Sequence, residues 1–352
     1  MVKTKGYAAF TSHGKLEPFN FERRELREND ILIEIMYCGI CHSDIHQVRS
    51  EWSESSYPIV PGHEIVGRVS AVGDSVRKFK VNDLAGVGCM VDSCKACDAC
   101  KDNAEYDCAA GGPVWTYNSK DRQDGKPTYG GYSNNIVVGE SFALKISKDA
   151  DPAATAPLLC AGTTTYTPLK FWNVGPGQRV AVFGLGGLGH IAVKLARSMG
   201  AEVTVLTRSK VKADDAIRLG ASEAVVLDND AYKKQSGRFD LILDTLSSNH
   251  DPNPILGMLK SNGKLVLVGL PVGTIDVMPF SIVSGHKILT GSGIGGIKGT
   301  QEMLDYCADN KIACDIEIIP IQKVNEAYER LLKSDVKYRF VIDMSSLKPN
   351  PQ

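Results

Sequence analysis

Arg179-Val-Ala-Val-Phe183-Gly184-Leu185-Gly186-Gly187-Leu188-Gly189 is the stretch on which the fold turns. An apolar strand over Arg179–Phe183 runs into the pattern G-x-G-x-x-G, and the amphipathic continuation predicts a helix over Leu188–Met199. Each glycine of such a turn has its own task. Gly184 permits the tight turn, Gly186 lets the backbone approach a pyrophosphate, and Gly189 allows close packing of helix on strand, with the phosphates at the helix N-terminus. Alone, a glycine run also reads as a flexible turn. The strand before it, the helix after it and a second strand at Glu202–Leu206 make it a dinucleotide site.

Downstream the same alternation continues. A helix is predicted over Val211–Leu219, and strands over Ala224–Leu227, Leu241–Asp244 and Lys264–Gly269, which implies a parallel sheet covered by helices on both faces. Upstream of about Pro157 the texture is different. Short β-rich pieces such as Asp30–Tyr37, Glu64–Val72 and Tyr132–Val138, separated by Gly, Pro, Asp and Asn, predict an irregular, mostly β domain. After Gly291 come helices around Thr300–Asn310 and Val324–Lys333 and a strand at Tyr338–Ile342. This piece is too small to stand alone and is expected to complete the first domain. The expected division is therefore 1–156 and 292–352 in one domain and 157–291 in the other.

Composition agrees with two domains: 352 residues is about 2.3 times a ~150-residue unit. Forty Lys and Arg against forty-one Asp and Glu leave a formal charge of −1 with no basic run, which disfavours nucleic acid as a partner. The N-terminal MVKTKGYAAF has no sustained apolar core, and nowhere do the ~18 uninterrupted apolar residues of a membrane span occur. A cytoplasmic protein without a membrane partner is expected. Ten cysteines in such a chain point to metal binding or catalysis rather than to disulfides.

The end of the second strand discriminates between cofactors. An NAD enzyme usually carries Asp or Glu there for the ribose hydroxyls, whereas this strand ends Thr207-Arg208-Ser209. Arg208, Lys212 and the hydroxyls of Thr207 and Ser209 suit a 2′-phosphate instead, the alternative being a solvated basic pair. NADP(H) is the expected cofactor.

The cysteines fall into two sets. Cys94-x2-Cys97-x2-Cys100-x7-Cys108 is a compact group of four thiols that satisfies a tetrahedral zinc with no open position, a structural site; iron–sulfur ligation is the alternative, without the proline that often follows the fourth Cys in ferredoxins. The second set is dispersed: Cys41 in GICHSDIH, His63 with Glu64 in PGHEIVG, and Cys160 in PLLCAG. Taken singly these are a buried thiol, a core histidine and another thiol. Together, two thiolates and an imidazole form an open zinc site of the kind alcohol dehydrogenases use.

GICHSDIH, PGHE, the Cys94–Cys108 loop, PLLCAG and GLGGLG, in this order and separation, resemble the zinc-dependent medium-chain dehydrogenase/reductase family. GHEIVGRVSAVG, AGVGCMVDSC, GKPTYGGYS, GSGIGG, TQEMLDYC and SDVKYRFVID are similar to its cinnamyl alcohol dehydrogenase subfamily, so the likeness covers nearly the whole chain. It implies an α/β protein in which a GroES-like, mostly β catalytic domain is interrupted by a Rossmann domain with a doubly wound parallel sheet. It also implies an active-site cleft between the two and a homodimer. Position by position it makes Cys41, His63 and Cys160 ligands of a catalytic zinc with Glu64 beside the metal, and Asp44 the carboxylate that orients the zinc-bound histidine. It puts Thr164, Thr245, Gly269, Ser292, Gly293 and Ile294 along the nicotinamide half of the cofactor, and Trp52 and Trp115 in the substrate pocket. Cys38, Cys89, Cys307 and Cys314 match no ligand position and are read as packing residues.

The expected reaction is reversible hydride transfer between NADP(H) and a primary aldehyde or alcohol, with two zinc ions per chain of unequal role. Ser43, two residues past Cys41, occupies the relay hydroxyl position of the family, and His46 lies about one helical turn further. The bland alternatives are a helix-capping serine and a surface histidine. Rival functions on the same fold are a reductase of an iminium or conjugated double bond, a zinc-free quinone or enone reductase, a non-enzymatic nucleotide sensor and an NAD-dependent polyol dehydrogenase. The intact metal and relay positions disfavour the first, the two thiol sets the second, intact Ser43, His46 and metal ligands the third, and the missing acid at the second strand the last.

Overall fold

A computed structural model describes residues Met1–Leu347; residues 348–352, the end of the expected final segment, lie outside the described residues. The chain forms two compact units, Met1–Thr163 with Gly295–Gln352, and Thr164–Ile294.

The second unit is built on strands β1 (Arg179–Phe183), β2 (Glu202–Thr207), β3 (Glu223–Val226), β4 (Phe239–Asp244), β5 (Leu259–Leu267) and β6 (Ile288–Gly291). Among the described residues they form one parallel sheet in the order β3-β2-β1-β4-β5-β6, a doubly wound Rossmann arrangement. Val180, Ala181 and Val182 of β1 and Ile242 and Leu243 of β4 are fully buried, as expected for central strands covered on both faces. The helix Gly189–Ser198 turns Ile191, Ala192, Val193, Leu195 and Ala196 inward. The next helix, Lys210–Arg218, starts one residue before its predicted position because the Ser209 hydroxyl accepts the Lys212 amide and caps it.

Strand β5 differs most from expectation. It begins at Leu259, five residues before the predicted Lys264, through an irregular stretch in which Phe239 pairs with Leu259 but Leu241 with Lys264. Asn262 with φ +61° makes that deviation, a local feature invisible to apolar periodicity. The strand also ends earlier, because the amides of Val268 and Gly269 both turn to the Asp244 carbonyl at 2.9 and 3.0 Å.

The first unit is organised around the long strand Asp30–Gly39, which pairs antiparallel with Ile65–Val72, Asn135–Gly139 and Arg339–Asp343. Arg339–Asp343 in turn pairs with Ile316–Pro320, so these two late strands lie in the sheet begun by the first hundred residues. Sequence reading missed the strand Ile316–Pro320 and the helix Ala161–Phe171. The helix carries three consecutive threonines and Pro168, all poor helix formers, and is buried on nearly every side, so neither propensity nor periodicity marks it. Among the described residues no helix is long and apolar enough to cross a membrane.

Candidate active site

Three separate parts of the first unit bring the dispersed set together. Cys41 precedes the short helix His42–Val48, His63 and Glu64 precede the strand Ile65–Val72, and Cys160 follows the turn Ala156–Leu159. All four side chains are buried, and their ligand atoms lie within 4.8 Å of one another. The two sulfurs are 3.9 Å apart.

Asp44 holds this group in register. Its Oδ1 accepts the His63 Nδ1 proton at 3.0 Å and the Gly62 amide at 3.0 Å; its Oδ2 accepts the Cys41 amide at 2.9 Å and the Tyr132 hydroxyl at 3.2 Å. With Nδ1 committed to the carboxylate, His63 keeps its Nε2 lone pair for an electrophile. Glu64 pairs with the buried Arg339 through Oε1, while its Oε2 is buried without a partner. An orphaned carboxylate oxygen beside two thiols and an imidazole whose second nitrogen faces the Cys41 sulfur is the donor set of a zinc site, so the residues fit the metal.

The electrostatics point the same way. The hydrogen bond from Cys160 holds the Cys41 thiol well below its ordinary value, and the charges of Arg339 and His63 add to that. Cys160, bonded to both Cys41 and Cys89, is pushed well up. Burial raises the Glu64 carboxyl to about 7 against the opposing pull of Arg339. Burial lowers His63, but Asp44 more than reverses this and holds it well above its usual value. Protons held on these groups are what a dication would displace.

Ser43 lies in the first turn of the same helix, its hydroxyl 3.5 Å from the Cys41 sulfur. Cys41 rather than Ser43 occupies the capping position. His46 touches Glu51 through Nδ1 and stacks on Trp52 with ring centroids 4.7 Å apart. Trp52 is 37% exposed, and Trp115, on the two-residue strand Val114–Trp115, is 41% exposed. Tyr117, two residues on, is the aromatic ring that faces His63, at 5.8 Å.

The compact thiol set also converges, with ligand atoms within 4.8 Å of one another. Backbone amides surround the sulfurs: Cys94 N–H donates to Cys108 at 3.4 Å and Cys97 N–H to Cys94 at 3.3 Å. Such amides hold the thiols of Cys94, Cys97 and Cys108 below their ordinary value. Arg122 donates to the Cys108 sulfur at 3.6 Å, and the set fits a closed zinc site.

In the second unit the glycine turn has the geometry its sequence predicts. Gly184 has φ +94°, and a Cβ there would lie 2.7 Å from the Leu246 side chain; a Cβ at Gly189 would lie 2.1 Å from the Gly184 carbonyl, whereas one at Gly186 would meet nothing within 4 Å. Thr245 donates to the Phe183 carbonyl at 2.9 Å, and a Cβ at Gly269 would lie 2.1 Å from the Leu246 carbonyl, so Gly184, Thr245 and Gly269 share one neighbourhood. Thr207 is buried at the end of β2, Arg208 is exposed, and burial lowers the Lys212 ammonium. Thr164 is buried in the helix Ala161–Phe171; the Ser292 amide bonds to the Leu267 carbonyl at 3.0 Å, and a Cβ at Gly293 would meet open space.

Sequence reading missed several participants. Arg339 is a lone cation in the apolar run Arg339–Asp343, a pattern that signals a buried partner. Tyr132 and Tyr117 carry no such signal, since aromatic residues in β segments default to packing. Cys89, read as a packing residue, hydrogen-bonds Cys160; Cys38, Cys307 and Cys314 are buried.

Residues 27–148 match the family model of the alcohol dehydrogenase GroES-like domain, and residues 187–309 that of the zinc-binding dehydrogenases. The NADP-dependent alcohol dehydrogenase C 1 of Mycolicibacterium smegmatis is 52% identical over 349 residues, 99% of this chain and 100% of that protein. The structure of a cinnamyl alcohol dehydrogenase from Sorghum bicolor superposes with a TM-score of 0.95 at 40% identity, covering 99% of this chain and 100% of the other. The enzyme named CAD from Helicobacter pylori, solved in complex with NADP(H), gives 0.93 at 43% identity over 98% and 99% of the two chains. With a GroES-like domain, a Rossmann domain and relatives matched along their full length, this chain belongs to the zinc-dependent medium-chain dehydrogenases of the cinnamyl alcohol dehydrogenase type, enzymes that interconvert alcohols and aldehydes.

Proposed function

We propose that this protein uses NADP(H) to interconvert a primary aldehyde and its alcohol, with aromatic and medium-chain aldehydes as the substrate class. The observation that carries the proposal is the buried set of two thiols and an imidazole with its Nδ1 held by Asp44, beside an orphaned Glu64 oxygen. In this reading 157–291 carries the dinucleotide turn, while 1–156 and 292–352 carry the catalytic residues other than Cys160. Cys41, His63 and Cys160 hold a catalytic zinc, and Cys94, Cys97, Cys100 and Cys108 a structural one. When bound, zinc supplies Lewis-acid polarisation of the carbonyl oxygen and the nicotinamide supplies the hydride.

The chain's own residues do the rest. Asp44 keeps His63 in the tautomer that offers Nε2. Ser43 delivers a proton from its hydroxyl to the product oxygen, and His46, one turn on and steadied by Glu51 and Trp52, replenishes it from solvent. Arg208 and Lys212, with Thr207 and Ser209, bind the 2′-phosphate, and Thr164, Thr245, Gly269 and Ser292–Ile294 the nicotinamide half. Trp52 and Trp115 border the substrate. A homodimer is supported by the edge strand β6 and by exposed apolar side chains nearby in the chain, Leu270, Val272, Met278, Phe280 and Val283, of which Phe280 is 75% exposed. Ten free thiols suit the reducing cytoplasm.

The test is a panel of aromatic and aliphatic aldehydes assayed with NADPH and with NADH. A higher kcat/KM with NADPH, reversed towards NADH in Arg208→Asp, is expected; equal values for the two cofactors in the unaltered enzyme would refute the assignment of Arg208.

A further inference from the structure

The loop between β4 and the helix Asn253–Gly257 carries a histidine that neither the glycine motif nor the thiol sets involve. His250 Nε2 lies 2.6 Å from Asp244 Oδ2, and Nδ1 lies 2.8 Å from the Ser248 carbonyl oxygen. A carbonyl only accepts, so Nδ1 must donate. Asp244 Oδ1 also accepts the Leu246 amide at 3.1 Å, and the hydrogen bond between Nε2 and Oδ2 raises the ring above its ordinary value, the direction in which Nε2 is the donor. An imidazole that donates from both nitrogens is an imidazolium.

Its surroundings connect it to the dinucleotide. The ring meets Phe183, the residue before Gly184, edge to face at 5.4 Å. The bonds it makes close the loop that contains Leu246, whose atoms crowd Gly184 and Gly269. Its side chain is 11% exposed. The charges acting on it come from two elements: Asp244 ends β4, and Arg208, which follows β2, opposes the ring's charge; Asp251 is the next residue in the loop. Two neighbouring cations, only one of them met by a buried carboxylate, are relieved when an anion joins them.

We propose that His250, held as an imidazolium by Asp244 and Ser248, is a specificity-determining positioning residue that favours the phosphate-bearing dinucleotide and makes that preference depend on pH. The proposal rests on the reading of NADP(H) as cofactor. The bond to Asp244 raises the ring above its ordinary value of 6.5. The charge is therefore present at and below that pH and is lost as pH rises through the raised value, and the His250-dependent part of the preference fades in the same direction.

The experiment measures dissociation constants of NADPH and NADH by nucleotide fluorescence from pH 5.5 to 8.5, for the holoenzyme and for His250→Gln and His250→Lys. The phosphate's own titration near pH 6 is common to all three and cancels in the comparison. His250→Gln should lower the NADPH-over-NADH ratio about three- to tenfold at pH 6 and scarcely at pH 8.5, the scale of one screened charge. His250→Lys should keep the ratio at both. An NMR titration of the histidines in the unaltered protein should show His250 protonated on both nitrogens at pH 6 and titrating above pH 6.5. A His250→Gln ratio equal to the unaltered one at pH 6, or a His250 resonance neutral at that pH, would overturn the proposal. Equal affinity for the two cofactors at every pH, with His250 doubly protonated by NMR, would instead locate the failure in the NADP(H) reading.

Discussion

The two thiol clusters use the same chemistry and are built in opposite ways. Cys94, Cys97, Cys100 and Cys108 lie in one loop, and the groups that stabilise their sulfurs are largely amides of that loop. Cys41 and Cys160 are 119 residues apart, and the groups around them are side chains from separate parts of the chain: Asp44 of the helix after Cys41, Tyr132 of a loop and Arg339 of a strand near the other end. A closed four-thiolate site has no coordination position left, so it can only hold a shape. A site whose ligands are two thiols and one imidazole leaves a fourth position open, and keeping it available requires a rigid surround. A local chelate therefore suits structure and a dispersed one suits turnover.

Single replacements can break this contrast. Cys160→Ser is expected to abolish turnover while one zinc and near-normal thermal stability remain; Cys97→Ser should do the reverse, lowering Tm while the molecules that stay folded still turn over. Metal analysis with circular dichroism reads both, and matching losses from the two variants would erase the distinction. Next in size is Ser43→Ala, which should cut kcat by roughly 10²–10⁴-fold with zinc in place; single-turnover rates near those of the unaltered enzyme would remove Ser43 from proton transfer. Asp44→Asn takes away the charge that orients His63 and should weaken metal binding at the dispersed site by roughly 10–100-fold. A chelator titration should then show early loss of one zinc and unchanged loss of the other. The smallest effect is expected from Tyr132→Phe, which removes one of several donors to Asp44 and should shift metal affinity by roughly 2–10-fold, the worth of one hydrogen bond. Its restriction to the dispersed site would sharpen the contrast.

What could be read directly from the chain follows the same division. The turn Gly184–Gly189 and the Cys94–Cys108 loop were legible because the contacts they make are set by a few consecutive residues: a positive φ at Gly184, a helix beginning at Gly189, amides next to sulfurs. Strands β1 and β2 were legible because burial on both faces leaves an apolar run. The dispersed donors could be named only through resemblance to a family, since nothing local in GICHSDIH or PLLCAG distinguishes a ligand from a buried thiol. Arg339 beside Glu64 depends on the strand Arg339–Asp343 pairing with Asp30–Gly39, and the doubly donating ring of His250 on a loop that turns back to Asp244. Sequence alone determined the elements whose energetics are local. Only the tertiary structure decided which distant polar groups share a buried space, because strand register and loop closure, not spacing along the chain, set those distances.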